Sequence, residues 1–216
     1  MSTARVARPR GRPKSDANSQ GGADTRELIL QVSARLFLSQ GYSATTLRQI
    51  ADAAKIKAGS IYYHFSSKEE ILQEILDTGI NAVRQSAQER VAALPRNASS
   101  KAKVEAAMIG HLEGLTRHGG EFSSASTRVY GHLPEHLKKQ NQKLRNEYSK
   151  FWDGLLAEAK SKGELRPHLT TSVARLVVVG AINWTTEWYD PKRDKLDEVV
   201  PQMVKMLSDG LFMSAG

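Results

Sequence analysis

The chain has no cysteine. That excludes disulfides and thiolate metal sites, and it fits a reducing compartment. No stretch approaches the ~18 consecutive apolar residues that a membrane-spanning helix needs. The basic start MSTARVARPRGRPK lacks the apolar segment of a secretory signal, so none is expected. Six histidines are present, yet no metal-ligating spacing such as H-E-x-x-H occurs. A nucleophile elbow, a P-loop and a dinucleotide fingerprint are missing too. These absences argue against an enzyme, a bound metal or a cofactor. Strand-like alternation and internal repeats are also missing. Aromatic residues are scarce, with five Phe, three Trp and six Tyr in 216 residues, so their placement is informative.

Positive charge is present, and it is unevenly spread. The formal net charge is +8. Residues 1–26 hold six Arg or Lys against Asp16 and Asp24, whereas residues 71–216 hold twenty against seventeen acidic residues. A basic cluster at one end points to a polyanion, either nucleic acid or an anionic membrane, with plain solubility as the bland alternative. No apolar face accompanies the charges, which weakens the membrane option. Residues 1–23 are rich in Arg, Pro, Gly, Ser and Asn and read as a disordered arm, with ordered structure beginning near Asp24. Within the arm, PRGRP at 9–13 matches the core of an AT-hook, which would lay Arg10 and Arg12 in a narrow A·T minor groove. Nonspecific attraction to phosphates is the alternative.

Everything after Asp24 reads as helix, so an all-α fold is predicted. Leu28, Ile29, Val32, Leu36 and Phe37 share one helical face, and Gly41 ends it. Thr46 with Gln49 has the spacing of a capping box and opens a two-turn helix. A second short helix covers roughly 58–64, with Ile61 and Phe65 inward. Ser67 with Glu70 starts a long helix that ends at Pro95. Further helices are expected at 101–118, 122–131, 135–161, 171–189 and 194–212. The segment 171–189 is apolar nearly all round, which fits burial on two sides.

Two short helices joined by a tight turn, behind a leading helix, form a helix-turn-helix unit. The outward face of the second carries Lys57, Gly59, Ser60, Tyr62, Tyr63 and His64. A core would not want that polar, aromatic and basic surface. At these residues the chain resembles the TetR family of transcriptional repressors. Thr46-Leu47-Arg48-Gln49-Ile50-Ala51, then Gly59-Ser60-Ile61-Tyr62-Tyr63-His64-Phe65, then Lys68 and Leu72 match its signature over about residues 25–75. Lys55 stands where such motifs often have glycine.

The resemblance implies an N-terminal helix-turn-helix DNA-binding domain at 24–70 and a larger helical ligand-binding and dimerisation domain at 71–216. It implies a cytoplasmic, nucleoid-associated bacterial repressor, a homodimer on a palindromic double-stranded DNA operator, released by a small-molecule inducer. It also implies that Thr46, Tyr62, Tyr63, His64 and Lys68 hold phosphates. Lys57, Ala58, Gly59 and Ser60 would lie near base edges, and Arg48 would reach either. Tyrosine hydroxyls and an ammonium are suitable donors for phosphate oxygens, though either tyrosine packed into the domain remains open.

The segment Asn183-Trp184-Thr185 to Trp188-Tyr189-Asp190-Pro191 resembles one in a TetR subgroup that answers to acyl-CoA thioesters. Arg145, Tyr148, Trp152, Trp184 and Trp188 are the expected ligand residues, with plain core as the alternative for the tryptophans. The effector would be an acyl-CoA or another hydrophobic ligand. Val177, Val178, Ala181, Val200, Val204, Leu207 and Leu211 are the expected dimer contacts, with intrachain core as the alternative. The rival function is a ligand-independent architectural protein on A·T-rich DNA.

Overall fold

The computed structural model describes residues 16–116 and 120–213, with side chains from residue 23 onward. The arm residues Arg10 and Arg12 therefore lie outside the described residues. Three helices form the N-terminal unit: α1 (Asp16–Gln40), α2 (Leu47–Ala53) and α3 (Ala58–Ile61). The long α4 (Lys68–Ala92) follows, then α5 (Ser100–Thr116), α6 (Gly120–Tyr130) and α7 (Glu135–Ser161). The chain closes with α8 (Thr171–Asn183), α9 (Thr185–Trp188) and α10 (Leu196–Leu211). Among the described residues no strand forms, and Leu165 and Phe212 make only an isolated bridge. No helix among them is long and apolar enough to cross a membrane.

Two helix boundaries differ from the sequence reading. The first helix begins at Asp16, not near Asp24, so residues 16–23 belong to α1 rather than to an arm. Past Pro13 nothing forbids helix, and extending an anchored helix is easier than nucleating one. The 171–189 segment is broken at Trp184. Thr185 Oγ1 donates to the Ile182 carbonyl at 2.7 Å and Thr186 Oγ1 to the Asn183 carbonyl at 2.9 Å. Such side-chain bonds compete with the helical ladder. On α1, Leu28 is partly exposed while Leu30 and Ala34 are buried, a rotation from the expected face.

Two apolar cores share one spine. Ile71, Leu72, Ile75 and Leu76 of α4 pack with α1, α2, α3 and the inner residues of α6. One turn later Ile80, Val83 and Ala87 pack with α5, α7, α8 and α10. The expected boundary at residue 70 is thus bridged by α4 and by Phe122, Ala125 and Val129 of α6. Glycine permits the closest crossings. A Cβ on Gly79 would lie 2.4 Å from the Phe122 carbonyl oxygen, and one on Gly110 would lie 2.5 Å from that of Ser86.

Candidate nucleic-acid interface

Local chemistry positions α2 and α3. Thr46 Oγ1 accepts from the Gln49 amide at 3.2 Å, and the Gln49 side-chain oxygen accepts from the Thr46 amide at 2.8 Å. This reciprocal box satisfies two free donors at the start of α2. At its far end Lys55 adopts φ 55°. The Ile56 amide donates to Ala51 at 3.0 Å and the Lys55 amide to Asp52 at 3.1 Å, closing a left-handed helix stop. A lysine there costs about 1 kcal/mol against glycine. Ile50, Ala51, Ile61 and Phe65 are buried beneath. Each large side chain among them contributes about 1.5–3 kcal/mol by burial, which outweighs the strain.

With Ile61 and Phe65 committed inward, their neighbours face out. Tyr62 is 63% and Tyr63 89% exposed, and His64 is half-buried. Thr46, Arg48, Lys57, Ala58 and Gly59 are exposed, and Ser60 is half-buried. Lys57 caps α3 by its backbone alone, leaving its ammonium unused. A Cβ on Gly59 would meet nothing within 4 Å, so the fold does not require glycine there.

Lys68, expected at a phosphate, is already engaged within the chain. Its ammonium donates to the carbonyls of Tyr42 at 2.9 Å and Thr45 at 2.6 Å, over the Tyr42 ring. It fastens the loop before α2 to the start of α4, and burial holds its pKa below the ordinary lysine value. Ser67 caps α4 as expected, but the Glu70 carboxylate accepts from Ser66 instead of closing the box. Arg26 forks onto Glu74 and stacks on Phe65, pinning α1 to α4.

The expected ligand residues divide. Arg145 and Tyr148 line a cavity of about 90 Å³ among α4, α5, α6, α7 and α8. Trp152 is buried in the core, while Trp184, between α8 and α9, is 65% exposed and Trp188 is partly exposed. Within the cavity wall the His111 imidazole joins Tyr148 at 2.9 Å and Asn183 at 3.0 Å. The Asn183 oxygen only accepts, so His111 Nε2 donates to it and Tyr148 donates to Nδ1. Burial pushes His111 down to about 4 and raises Tyr148, so both are neutral near pH 7. Arg145 Nε donates to Asn141 at 2.7 Å, and its Nη2 donates to Ser126 Oγ at 3.0 Å and to the Ser126 carbonyl at 3.1 Å. Desolvation lowers its guanidinium to about 10, so it stays charged.

Sequence reading missed Ser126, Asn141, His111 and Asp77, which bonds Asn141 at 2.7 Å. The available signal was polar side chains on the inward faces of helices. A larger open cleft of about 720 Å³ lies between α1, α6 and α9, lined in part by Arg35, Glu121, Thr185, Thr186, Tyr189 and Pro191. Glu187 nearby is paired with Arg128 at 2.7 Å, which offsets its charge.

The expected dimer residues divide as well. Val178, Val204 and Leu211 are buried in the chain's own core, so their side chains do not face outward. Ala181, Val200 and Leu207 are half-buried. Val177 is exposed, together with Val173 and Leu176 on α8, Trp184 just after it and Met206 on α10. The α8 residues recur at helical spacing on one face, around Gly180, where a Cβ would meet open space.

The family described as "Bacterial regulatory proteins, tetR family" matches residues 29–75, and "Tetracyclin repressor-like, C-terminal domain" matches residues 97–211. The chain is similar to the HTH-type transcriptional repressor KstR2 of Rhodococcus jostii (strain RHA1). The two are 29% identical over 205 residues, covering 92% of this chain and 96% of that protein. The fold is similar to that of the ketosteroid transcriptional regulator KstR2 of Mycobacterium tuberculosis, with a TM-score of 0.75 at 22% identity over 88% of this chain and 95% of that one. AibR, solved in complex with isovaleryl coenzyme A and operator DNA, gives a TM-score of 0.74 at 22% identity, covering 87% of this chain and 98% of that one.

Proposed function

The chain belongs to the TetR family of bacterial regulatory proteins, and from that premise we propose that it is a homodimeric repressor which reads a two-fold operator and leaves it when a small effector binds. Membership in a family of transcriptional regulators answers the catalytic alternative in the negative. The observation that supports the reading is the outward row on α3 and the turn after it, with Tyr62 and Tyr63 exposed beyond a glycine that the fold itself does not need. Lys57, Ala58, Gly59 and Ser60 meet base edges in the major groove. Thr46, Tyr62, Tyr63 and His64 hold phosphates, and Arg48 reaches base or backbone. Lys68 is left out of this set, because its ammonium is used within the chain. Arg10 and Arg12 add minor-groove contacts.

The second copy docks on the exposed α8–α10 face around Leu176, Val177 and Met206. The effector is an acyl-CoA thioester held in the cleft beside Thr185, Thr186 and Tyr189. The size of that cleft supports this, as does the isovaleryl coenzyme A complex of the structurally similar AibR. Binding there tilts α4, and it works as a switch only by favouring one spacing of the two readers over the other.

The test is a titration of labelled operator with the full chain and with Tyr62→Phe and Tyr63→Phe. A lost hydrogen bond to a charged phosphate should weaken binding about tenfold or more. Addition of an acyl-CoA panel should then release the DNA. Unchanged affinity in both variants removes the tyrosines from the contact, and operator affinity indifferent to every thioester rejects the effector class.

A further inference from the structure

Helix α7 presents a positive face that the fold does not use. Exposed Lys139, Lys143 and Lys150 lie within about 40° of one another around the helix axis and span about 16 Å along it. Exposed His136 extends the row by one turn. The face is positive because the carboxylates of α7 are taken by cations from elsewhere. Glu147 pairs with Arg84 of α4, Asp153 with Arg175 of α8, and Glu158 with Lys103 of α5 as well as with Lys162. Glu135, in the first turn, is the remaining acid of the helix. Among the described residues no carboxylate pairs with Lys139, Lys143 or Lys150, whereas Lys103, Lys162, Lys195 and Lys205 each have one. The apolar side of α7 is spent on the fold. Leu137 packs in the core that holds Ile50, Ile61 and Phe65, and Tyr148 and Trp152 pack in the other. None of the described large hydrophobic side chains of α7 is exposed.

These features select among anionic partners. A protein partner is held mainly by aromatic or aliphatic anchors, and this face offers none. A membrane surface needs an apolar face to insert beside the charges. Duplex DNA needs neither, because it attracts lysines through counterion release. It carries one charge per about 1.7 Å of axis, so a stretch as long as the row presents about ten phosphates. Three ammonium groups then find partners without a fixed register. Lysine, a point charge on a flexible stem, suits such contacts. We propose that the outer face of α7 is a second, sequence-independent track for the phosphate backbone of duplex DNA, built on Lys139, Lys143 and Lys150 and separate from the α3 row. It holds a DNA segment by charge alone, and it does not rest on the operator or the effector.

The test reads the lysines individually. The full chain is acetylated with a water-soluble succinimidyl ester, with and without excess short duplex of random sequence, and each lysine is quantified by mass spectrometry. With duplex, Lys139, Lys143 and Lys150 should react at least about threefold more slowly, and high salt should restore them. Exposed Lys192 should be unchanged. In a second measurement, Lys57→Ala with Tyr63→Ala disables the α3 row, and Lys139→Gln, Lys143→Gln and Lys150→Gln are added. The slope of log affinity against log salt for the same duplex should flatten by about two to three, at about 0.9 per lost phosphate contact. A control in the same background, with Lys162→Gln, Lys195→Gln and Lys205→Gln, removes equal charge and should flatten it by less than about one. If a variant does not fold by circular dichroism, the protection of the native chain decides alone. The proposal is overturned if the three lysines are protected no better than Lys192, or if the two triple variants behave alike. It is overturned too if polyglutamate or phosphatidylglycerol vesicles protect them as well as the duplex does, which would give the face to an acidic protein or a membrane. Protection of Lys57 in the same experiment reports separately on the α3 row.

Discussion

Gly59 and His111 show how single residues separate folding from function. A side chain on Gly59 would touch nothing, and alanine improves a helical position by about 0.5–1 kcal/mol. Gly59→Ala should therefore leave the melting temperature unchanged or raised while operator affinity falls, as read by thermal denaturation beside fluorescence anisotropy. Equal affinity would remove Gly59 from the contact. His111 is held down to about 4 by burial, whereas the unfolded chain protonates near ~6.5. As pH falls, the unfolded state takes up the proton first. The stability due to neutral His111 is complete above about pH 6.5, drains away toward about pH 4 and is gone below that, a loss of at most about 3 kcal/mol. Chemical denaturation across that window should give a flatter pH profile for His111→Gln than for the native chain; parallel profiles would contradict this. Tyr62 and Tyr63 were legible as outward because Ile61 and Phe65, four apart, claim the inner face. The ties of Lys68 within the chain were not legible because its acceptors, the Tyr42 and Thr45 carbonyls, come from a loop more than twenty residues away.

Among the helices, α4 does the most. It carries residues of both cores and receives two polar links from α7. One runs from Asn141 to Asp77 at 2.7 Å. The other runs from Arg145 through Ser126, whose Oγ donates to the Leu76 carbonyl at 3.3 Å. Both links land on one turn of α4, just below Gly79. A methyl on Gly79 would meet the Phe122 carbonyl at 2.4 Å and Ser126 Cβ at 2.7 Å, so α4 and α6 must separate. Gly79→Ala should cost about 1–3 kcal/mol in denaturant unfolding; an unchanged midpoint would mean that the crossing is looser than it stands. The start and end of α4 were readable because Ser67 and Pro95 are local signals. So was α2, through Thr46 and Gln49. The break after α8 was not, because it depends on Thr185 and Thr186 hydroxyls competing for carbonyls inside an apolar run. Nor was the early start of α1, where composition spoke for disorder and helix propagation decided otherwise.

At the scale of the whole molecule, the basic end and the exposed α8–α10 face lie at opposite ends of the chain order. The all-α class followed from helical periodicity alone, and the exposed row at Tyr62 and Tyr63 followed from a short aromatic stretch. The exposed apolar face that we propose for the dimer was only half legible. Periodicity marks α8 and α10 as apolar, but only packing reveals that Val178, Val204 and Leu211 turn inward while Leu176 and Met206, at 63% and 76% exposure, do not. Leu176→Glu places a charge on that face and should give a folded monomer by sedimentation, with operator affinity reduced because a two-fold site needs both readers. A dimer unchanged by the substitution would move the interface elsewhere. The account as a whole rests on sequence-specific reading of a symmetric site by α3. The most direct measurement is a nuclease footprint of the full chain on the intergenic DNA upstream of its own gene. The account predicts one bounded, two-fold symmetric protected site, lost when Lys57 and Tyr63 are both replaced by alanine. Diffuse protection of A·T-rich DNA, unaffected by those replacements, would contradict it.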